Sequence, residues 1–137
     1  MRQMKDSFFM DTNIALYALC DKGRKSEIAQ NLLSLTPSIS TQVIAESINV
    51  MIKKMKFSKI EAFDKATDLL TVCSLCLIKE STLHLAFMIS NKHQFSYWDS
   101  LIISVALERK CDILYSEDMS HNFMIEGKLK IVNPFII

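Results

Sequence analysis

The chain has 137 residues, half of them hydrophobic, with two glycines, two prolines and a formal net charge of +1. This length suits one domain, and we expect residues 1–137 to form a single unit. The composition excludes a disordered or collagen-like chain, and so small a charge gives no bulk attraction for nucleic acid. No stretch reaches the roughly 18 apolar residues of a membrane span, and none has the layout of a signal peptide. The sequence therefore predicts a soluble, cytoplasmic protein with no membrane partner.

Short apolar runs alternate with longer stretches of helical periodicity, which is the pattern of a parallel α/β fold. Strands are predicted at residues 8–10, 38–40, 73–78, 112–116 and 130–132. Helices are predicted at residues 13–20, 24–35, 41–55, 59–70, 81–91 and 97–109. Pro37 interrupts the helical pattern, and Ser58 with Glu61 matches a capping box at a helix start. We expect a central parallel sheet of four to five short strands, flanked by helices on both faces.

Two aspartates follow predicted strands in the same way. Asp11 ends the apolar run Ser-Phe-Phe-Met, and Asp118 ends Ile-Leu-Tyr-Ser-Glu. Parallel strands that lie side by side would place both acids at the carboxyl edge of the sheet, where open α/β sheets bind ligands. Either acid alone could simply cap the following helix, but the repetition is hard to obtain from capping. Thr12 and Asn13 add polar groups that could orient the Asp11 carboxylate or a bound water.

Two further acids lie on predicted helices of apolar character. Glu46 borders the apolar face of helix 41–55, although a glutamate on a helix usually faces solvent. Asp99 opens a helix that is apolar almost all round and should be deeply packed. Asp99 could also close a capping box with Ser96. Both acids fit a purely structural role poorly, which favours a role beside the two strand-end aspartates.

Four converging carboxylates would repel one another. Without a cation, some of them would have raised pKa values and take up protons. Oxygen ligands of this kind favour hard cations such as Mg²⁺ or Mn²⁺. The chemistry that fits best is hydrolysis of a phosphodiester bond by a metal-activated water.

Other chemistry-bearing residues favour packing over function. Cys73 and Cys76 form a C-x-x-C pair, but no second pair completes a zinc site, so we expect both in the core. The lysines between residues 53 and 59 could form a basic patch, although a solvated helix end is the favoured interpretation. For Trp98 we expect packing or a dimer interface rather than base stacking.

Five segments match one family in order and cover essentially the whole chain. They are Phe-Met-Asp-Thr-Asn-Ile, Ser-Thr-Gln-Val-Ile-Ala-Glu, Tyr-Trp-Asp-Ser-Leu-Ile-Ile-Ser-Val-Ala, Ile-Leu-Tyr-Ser-Glu-Asp-Met and the terminal Val-Asn-Pro-Phe. The chain resembles PIN-domain proteins, and among them the VapC-like toxin ribonucleases of type II toxin–antitoxin systems. One departure is Asn122, where many relatives carry glycine.

The resemblance implies a Mg²⁺- or Mn²⁺-dependent endoribonuclease. Its acidic quartet maps onto Asp11, Glu46, Asp99 and Asp118. Asp11, Asp99 and Asp118 would ligate metal, and Glu46 would either ligate a second ion or position the attacking water. Thr12 and Ser116 match the small hydroxyl residues beside the first and last acids, and Asn13 is a further supporting residue.

The family also implies partners. These are an RNA substrate, a small antitoxin that occupies the active-site groove, and a second copy in a homodimer or a larger complex with the antitoxin. A non-catalytic PIN-like module that binds RNA or protein remains the alternative. A phosphoacceptor receiver-like domain fits less well, since Asp11 stands alone where that fold has paired acids.

Overall fold

A six-stranded sheet flanked by six helices forms the structure, a computed structural model that describes residues 7–136. The strands are β1 (Phe8–Met10), β2 (Ser38–Ser40), β3 (Ser74–Cys76), β4 (Ile113–Tyr115), β5 (Met124–Ile125) and β6 (Leu129–Val132). The helices are α1 (Thr12–Cys20), α2 (Arg24–Leu33), α3 (Thr41–Lys53), α4 (Lys59–Val72), α5 (Glu80–His93) and α6 (Tyr97–Glu108). The predicted α/β class is confirmed, and each predicted helix is present with ends that differ by at most a few residues.

The strand order is β3-β2-β1-β4-β6-β5, and only the pairing of β5 with β6 is antiparallel. β1 lies inside the sheet with β2 on one side and β4 on the other. All five parallel strands therefore end at the same edge. This edge gathers the residues that follow β1, β2 and β4, which include the first turns of α1 and α3.

The sheet has one strand more than the four to five predicted from the sequence. The additional strand β5 is two residues long, too short to show any hydrophobic alternation. It turns back onto β6 through Glu126 and Gly127, whose φ angles are 54° and 64°. Positive φ at both central residues is what a tight hairpin requires. Glu-Gly lacks the Asn-Gly or Asp-Gly signature that would have indicated such a turn.

The predicted third strand, residues 73–78, is shorter than expected. β3 spans only Ser74–Cys76 and forms an edge of the sheet. Cys73 and Cys76 are both buried, with free thiols, in the hydrophobic core. Leu75 and Leu77, in contrast, are 39% and 62% exposed. The apolar run thus reflects an edge strand with one buried side rather than a strand covered on both faces.

The helix starts follow the capping residues of the sequence. Ser58 and Glu61 form the predicted capping box at α4. Ser40 accepts a hydrogen bond from the amide of Val43 at α3, and Ser96 accepts one from the amide of Asp99 at α6. These caps satisfy backbone donors that would otherwise lack a partner. They also fix where each helix leaves the sheet, and hence where its first-turn side chains lie.

The hydrophobic core contains residues of the sheet and of all six helices, and α6 is buried continuously from Ser100 to Ala106. This confirms that the helix carrying Asp99 is deeply packed. Central strand residues such as Phe9 and Leu114 are fully inaccessible. Within the described residues, no helix has the length and apolar character needed to cross a membrane.

Replacing Leu114 with alanine should remove well-packed volume from the centre of β4. The side chain has no exposed surface, so we expect the free energy of unfolding to fall by about 2–5 kcal/mol. Urea denaturation followed by circular dichroism measures this loss. Leu35, which is 57% exposed, is the matched control, and Leu35→Ala should change stability by less than about 0.5 kcal/mol. Equal losses in the two variants would contradict the assigned core.

Candidate active site

Asp11 is the buried member of the acidic group. It follows β1 directly, and its amide donates to the Tyr115 carbonyl of β4 at 3.0 Å. One carboxylate oxygen accepts from the amide of Thr12 at 2.7 Å, and the other accepts from the Ser116 hydroxyl at 2.8 Å. Only 7% of the residue is exposed. Asp11 therefore does cap α1, but its other oxygen is held by the neighbouring strand's end.

Ser116, the residue that directly follows β4, is the counterpart of Asp11, and Asp118 is not. The parallel register pairs Met10 with Tyr115, so the residues that follow them, Asp11 and Ser116, stand side by side. Asp118 lies two residues farther along, beyond the end of β4, and is exposed. Both acids are at the same edge of the sheet, as expected, but at different depths.

The side-chain amide of Asn13 links α1 to the segment that carries Asp118. Its oxygen accepts from the amide of Glu117 at 3.3 Å, and its nitrogen donates to the Asp118 carboxylate at 3.0 Å. The two contacts fix the orientation of the amide, because exchanging its oxygen and nitrogen would break both. Asp118 is thereby held on the same side of the edge as α1.

Glu46 is held by two donors from different elements. Its oxygens accept from the Thr12 hydroxyl at 2.5 Å and from the Gln42 amide at 3.1 Å. Gln42 also donates to the carbonyl of Trp98 at 3.1 Å. The side chain of Gln42 is buried, and its own oxygen has no hydrogen-bond partner among the described residues. It ties the first turn of α3 to the first turn of α6.

The pKa values show that the acids share one electrostatic environment. Burial is the main cause that raises the pKa of Asp11 from its usual 3.8 to about 6; the Ser116 and Thr12 contacts oppose the shift, and the charges of Asp99 and Glu46 add to it. The pKa of half-buried Asp99 is also raised, first by burial and then by the charges of Asp118 and Glu46. Asp99 therefore links the group: its charge acts on Asp11, and the charges of Asp118 and Glu46 act on it.

The chemistry of these side chains suits a hard cation, because all four offer carboxylate oxygens. No neighbouring cationic side chain in the described part of the chain offsets the repulsion that raises the pKa values of Asp11 and Asp99. As oriented, however, no group of three His, Cys, Asp or Glu side chains within residues 7–136 is arranged to hold a metal ion. Glu46 turns to Thr12 and Gln42, and Asp118 turns to Asn13. A shared ion would require these carboxylates to turn away from their present partners.

Glu117 stands apart from this acidic group, although it precedes Asp118 directly. The ammonium of Lys25, hydrogen-bonded to Glu117, holds the pKa of that carboxyl below its usual range. The Tyr17 hydroxyl also donates to Glu117, at 2.8 Å. Lys25 in turn lies 5.3 Å from the ring centroids of Tyr17 and Phe135. Glu117 is therefore neutralised locally and adds little to the charge at the acids.

Two other details bear on the sequence interpretation. Asn122, where the sequence departs from the expected glycine, has a φ of 68°. Asparagine is one of the few residues that enter this left-handed region readily, so the backbone here does not require glycine. Trp98 is 63% exposed, so its ring does not pack in the core; the dimer interface, the other role expected for it, stays a prediction. The role of Gln42 was missed, because the sequence does not show that its partner is the Trp98 carbonyl.

A comparison with models of protein families identifies the family of this chain. The model of the PIN domain matches residues 8–122. The chain belongs to the PIN domain family. This confirms the resemblance drawn from the five sequence segments. A comparison with curated protein sequences gives no match.

Solved structures share the PIN fold at low sequence identity. A toxin–antitoxin complex from Klebsiella pneumoniae is 20% identical with a TM-score of 0.72, over 96% of this chain and 100% of that one. VapBC2 from Rickettsia felis, bound to a DNA fragment from its promoter, is 19% identical with a TM-score of 0.69, over 92% and 98%. Mycobacterium tuberculosis VapC20, a toxin that cleaves the sarcin–ricin loop, is 17% identical with a TM-score of 0.68, over 82% and 90%. At such identities the likeness shows the fold.

Replacing Asp11 with asparagine should stabilise this PIN domain at neutral pH. The folded chain binds the Asp11 proton more tightly than the unfolded chain does, so the free energy of unfolding falls as pH rises from 3.8 to about 6. The asparagine amide could still bond to Thr12 and Ser116 without the buried charge, and we expect a gain of about 2–3 kcal/mol at pH 7.

Urea denaturation of both proteins between pH 4 and pH 8 tests this expectation. The difference in unfolding free energy should be near zero at the acid end and grow as Asp11 ionises. Asp64→Asn, on the exposed surface of α4, is the control and should show no such growth. A variant that is less stable than the parent at pH 7 would contradict the assignment.

Proposed function

We propose that this PIN domain is a divalent-metal-dependent endoribonuclease and the toxin of a toxin–antitoxin pair. The observation that carries the proposal is that carboxylates from four separate segments of the chain act on the charges of Asp11 and Asp99, and that side-chain hydrogen bonds from the start of α1 reach two of them. Asp11 and Asp99 have raised pKa values, and no cationic side chain of residues 7–136 contributes to lowering either one. Such a cluster carries an energetic penalty that a bound Mg²⁺ or Mn²⁺ would remove.

In this proposal Asp11, Asp99 and Asp118 hold the metal, and Glu46 either ligates a second ion or positions the attacking water. The bound ion would supply a water of lowered pKa and would neutralise charge on the phosphate. The chain's own contribution is orientation. Ser116 and the Thr12 amide fix the two oxygens of Asp11, and Asn13 holds Asp118.

Glu46 is suited to receive a proton from the attacking water. The Thr12 hydroxyl and the Gln42 amide occupy one lone pair on each oxygen, which fixes the carboxylate plane and leaves further acceptor positions open. Because Gln42 also binds the Trp98 carbonyl, the position of Glu46 is tied to the start of α6, and so to Asp99.

The toxin assignment draws on the similar structures. One is described as a toxin that cleaves the sarcin–ricin loop, and others are toxin–antitoxin complexes. By analogy, the substrate of this chain is RNA, and its partners are a small antitoxin and a second copy of the chain. The place of action proposed for it is the cytoplasm, where such a substrate is found.

Replacing Asp99 with asparagine should abolish RNA cleavage while the fold persists. The variant has a neutral amide in place of a charged carboxylate at the proposed metal. We therefore expect the rate of RNA cleavage to fall by at least about 100-fold. Cleavage of labelled RNA by purified, antitoxin-free protein in Mg²⁺ or Mn²⁺ is the measurement. Asp64→Asn is the matched control, since it makes the same chemical change on exposed α4. Undiminished cleavage by both Asp11→Asn and Asp99→Asn would refute the proposal.

Metal binding can be measured without RNA. Mn²⁺ should raise the melting temperature of the parent chain, because ligand that binds only the folded state stabilises it, and should leave that of Asp99→Asn unchanged. The affinity should weaken as pH falls through about 6, where protons compete for Asp11. A protein that binds RNA but neither responds to Mn²⁺ nor cuts RNA would be the non-catalytic module.

A further inference from the structure

A strip of four aromatic rings runs along the surface and ends at the residue that precedes Asp99. It consists of His84 and Phe87 on α5 and Tyr97 and Trp98 at the start of α6, and we call it the aromatic strip. Consecutive ring centroids are 5.9, 5.9 and 5.5 Å apart, from His84 to Trp98. Phe87 and Tyr97 are stacked, with an angle of 27° between their planes. The rings therefore support one another in a fixed arrangement.

Much of the aromatic strip faces solvent. Trp98 is 63% exposed and Phe87 49% exposed, and 69% of the His84 side chain is accessible. A tryptophan with so large an accessible ring is unusual in a monomer and marks a contact surface. Packing against the sheet or in the hydrophobic core does not explain why the Trp98 ring lies at the surface.

The end of the strip is fixed to the acidic group. Trp98 immediately precedes Asp99, and its carbonyl accepts the hydrogen bond from Gln42 that was described above. The same Gln42 nitrogen donates to Glu46. Because Trp98 and Asp99 are consecutive residues of α6, a ligand that is several nucleotides long and lies on the Trp98 ring can extend to the acids.

Electrostatics determine what kind of ligand fits there. The coupled carboxylates repel phosphate groups, and the net charge of +1 gives no general attraction for a polyanion. A nucleic acid can still be held beside such acids through its bases, which are uncharged and stack on aromatic rings. Bases are free to do so only where they are unpaired, as in single strands and loops.

We propose that the aromatic strip, with Trp98 at its end, stacks unpaired bases of single-stranded RNA next to the bond that is cut. The proposal rests on the ribonuclease function proposed above and adds to it how the substrate is held. A second copy of the chain is a poorer occupant. A symmetric contact centred on Trp98 would bring two uncompensated acidic groups close together, where they would repel.

Trp98 is the single tryptophan of the chain, so its fluorescence reports on this position alone. The Asp11→Asn chain in Mg²⁺ keeps the RNA intact during titration, which a gel afterwards verifies. We expect unpaired RNA of about eight nucleotides to quench this fluorescence, and a fully paired hairpin of similar length to have little effect. An unchanged signal with every unpaired oligonucleotide would overturn the proposal.

Substitutions in the same background give a second readout, the anisotropy of a labelled oligonucleotide. Trp98→Ala should weaken binding about 5- to 100-fold, and Trp98→Phe should retain most of the affinity, since stacking tolerates a change of ring. Phe63→Ala is the control, because Phe63 on α4 is, like Phe87, a 49% exposed phenylalanine. Equal affinities for the parent, Trp98→Ala and Phe63→Ala would overturn the proposal.

Two outcomes separate this proposal from its alternatives. Sedimentation that shows a dimer in the parent and a monomer in Trp98→Ala, with RNA affinity unchanged, would make the strip an interface between copies and refute base stacking. Stacking and cleavage can also fail independently. A parent chain that cuts RNA without Trp98 quenching in the Asp11→Asn background would refute only the stacking, and quenching without any cleavage by the parent would support the stacking and refute the ribonuclease.

Discussion

The carboxylate of Asp11, buried where β1 ends, is the constraint around which the rest of the site is arranged. Its two oxygens are held by the start of α1 and by the end of β4, so one side chain joins two neighbouring strands and a helix. Burial raises the pKa of this group to about 6. The chain thus retains an unfavourable charge at the carboxyl edge of its sheet, a pattern typical of functional sites, where stability is given up for chemistry.

The other acids are placed relative to Asp11 by neutral side chains. Thr12 reaches Glu46, Asn13 reaches Asp118, and Gln42 joins Glu46 to the backbone that precedes Asp99. Two consecutive residues at the start of α1 therefore orient acids that lie 34 and 105 positions away in the sequence. Every link uses an uncharged donor, which restrains the carboxylates without cancelling their charge. That leaves the charge available to an ion.

The alternation of apolar runs and helical periodicity was sufficient to predict the parallel sheet, since both signals are local. The strand-end position of Asp11 and the apolar surroundings of Asp99 were also visible locally. The pairing of Asp11 with Ser116 was not, because it depends on the register between β1 and β4. Gln42 could not be identified for a similar reason, as its partner is a backbone carbonyl 56 residues away. β5 could not be predicted, because a strand of two residues is too short to show an alternating hydrophobic pattern.

The lengths of the outermost strands limit how this protein can meet other chains. One edge of the sheet is the two-residue β5 and the other is the three-residue β3. Each offers too few open backbone groups to serve as a template for another strand, which protects against edge-to-edge aggregation. Association with a partner through continuation of the sheet is accordingly disfavoured. Helix surfaces and exposed side chains are left as the means of recognition, so specificity would depend on side-chain identity rather than on backbone pairing.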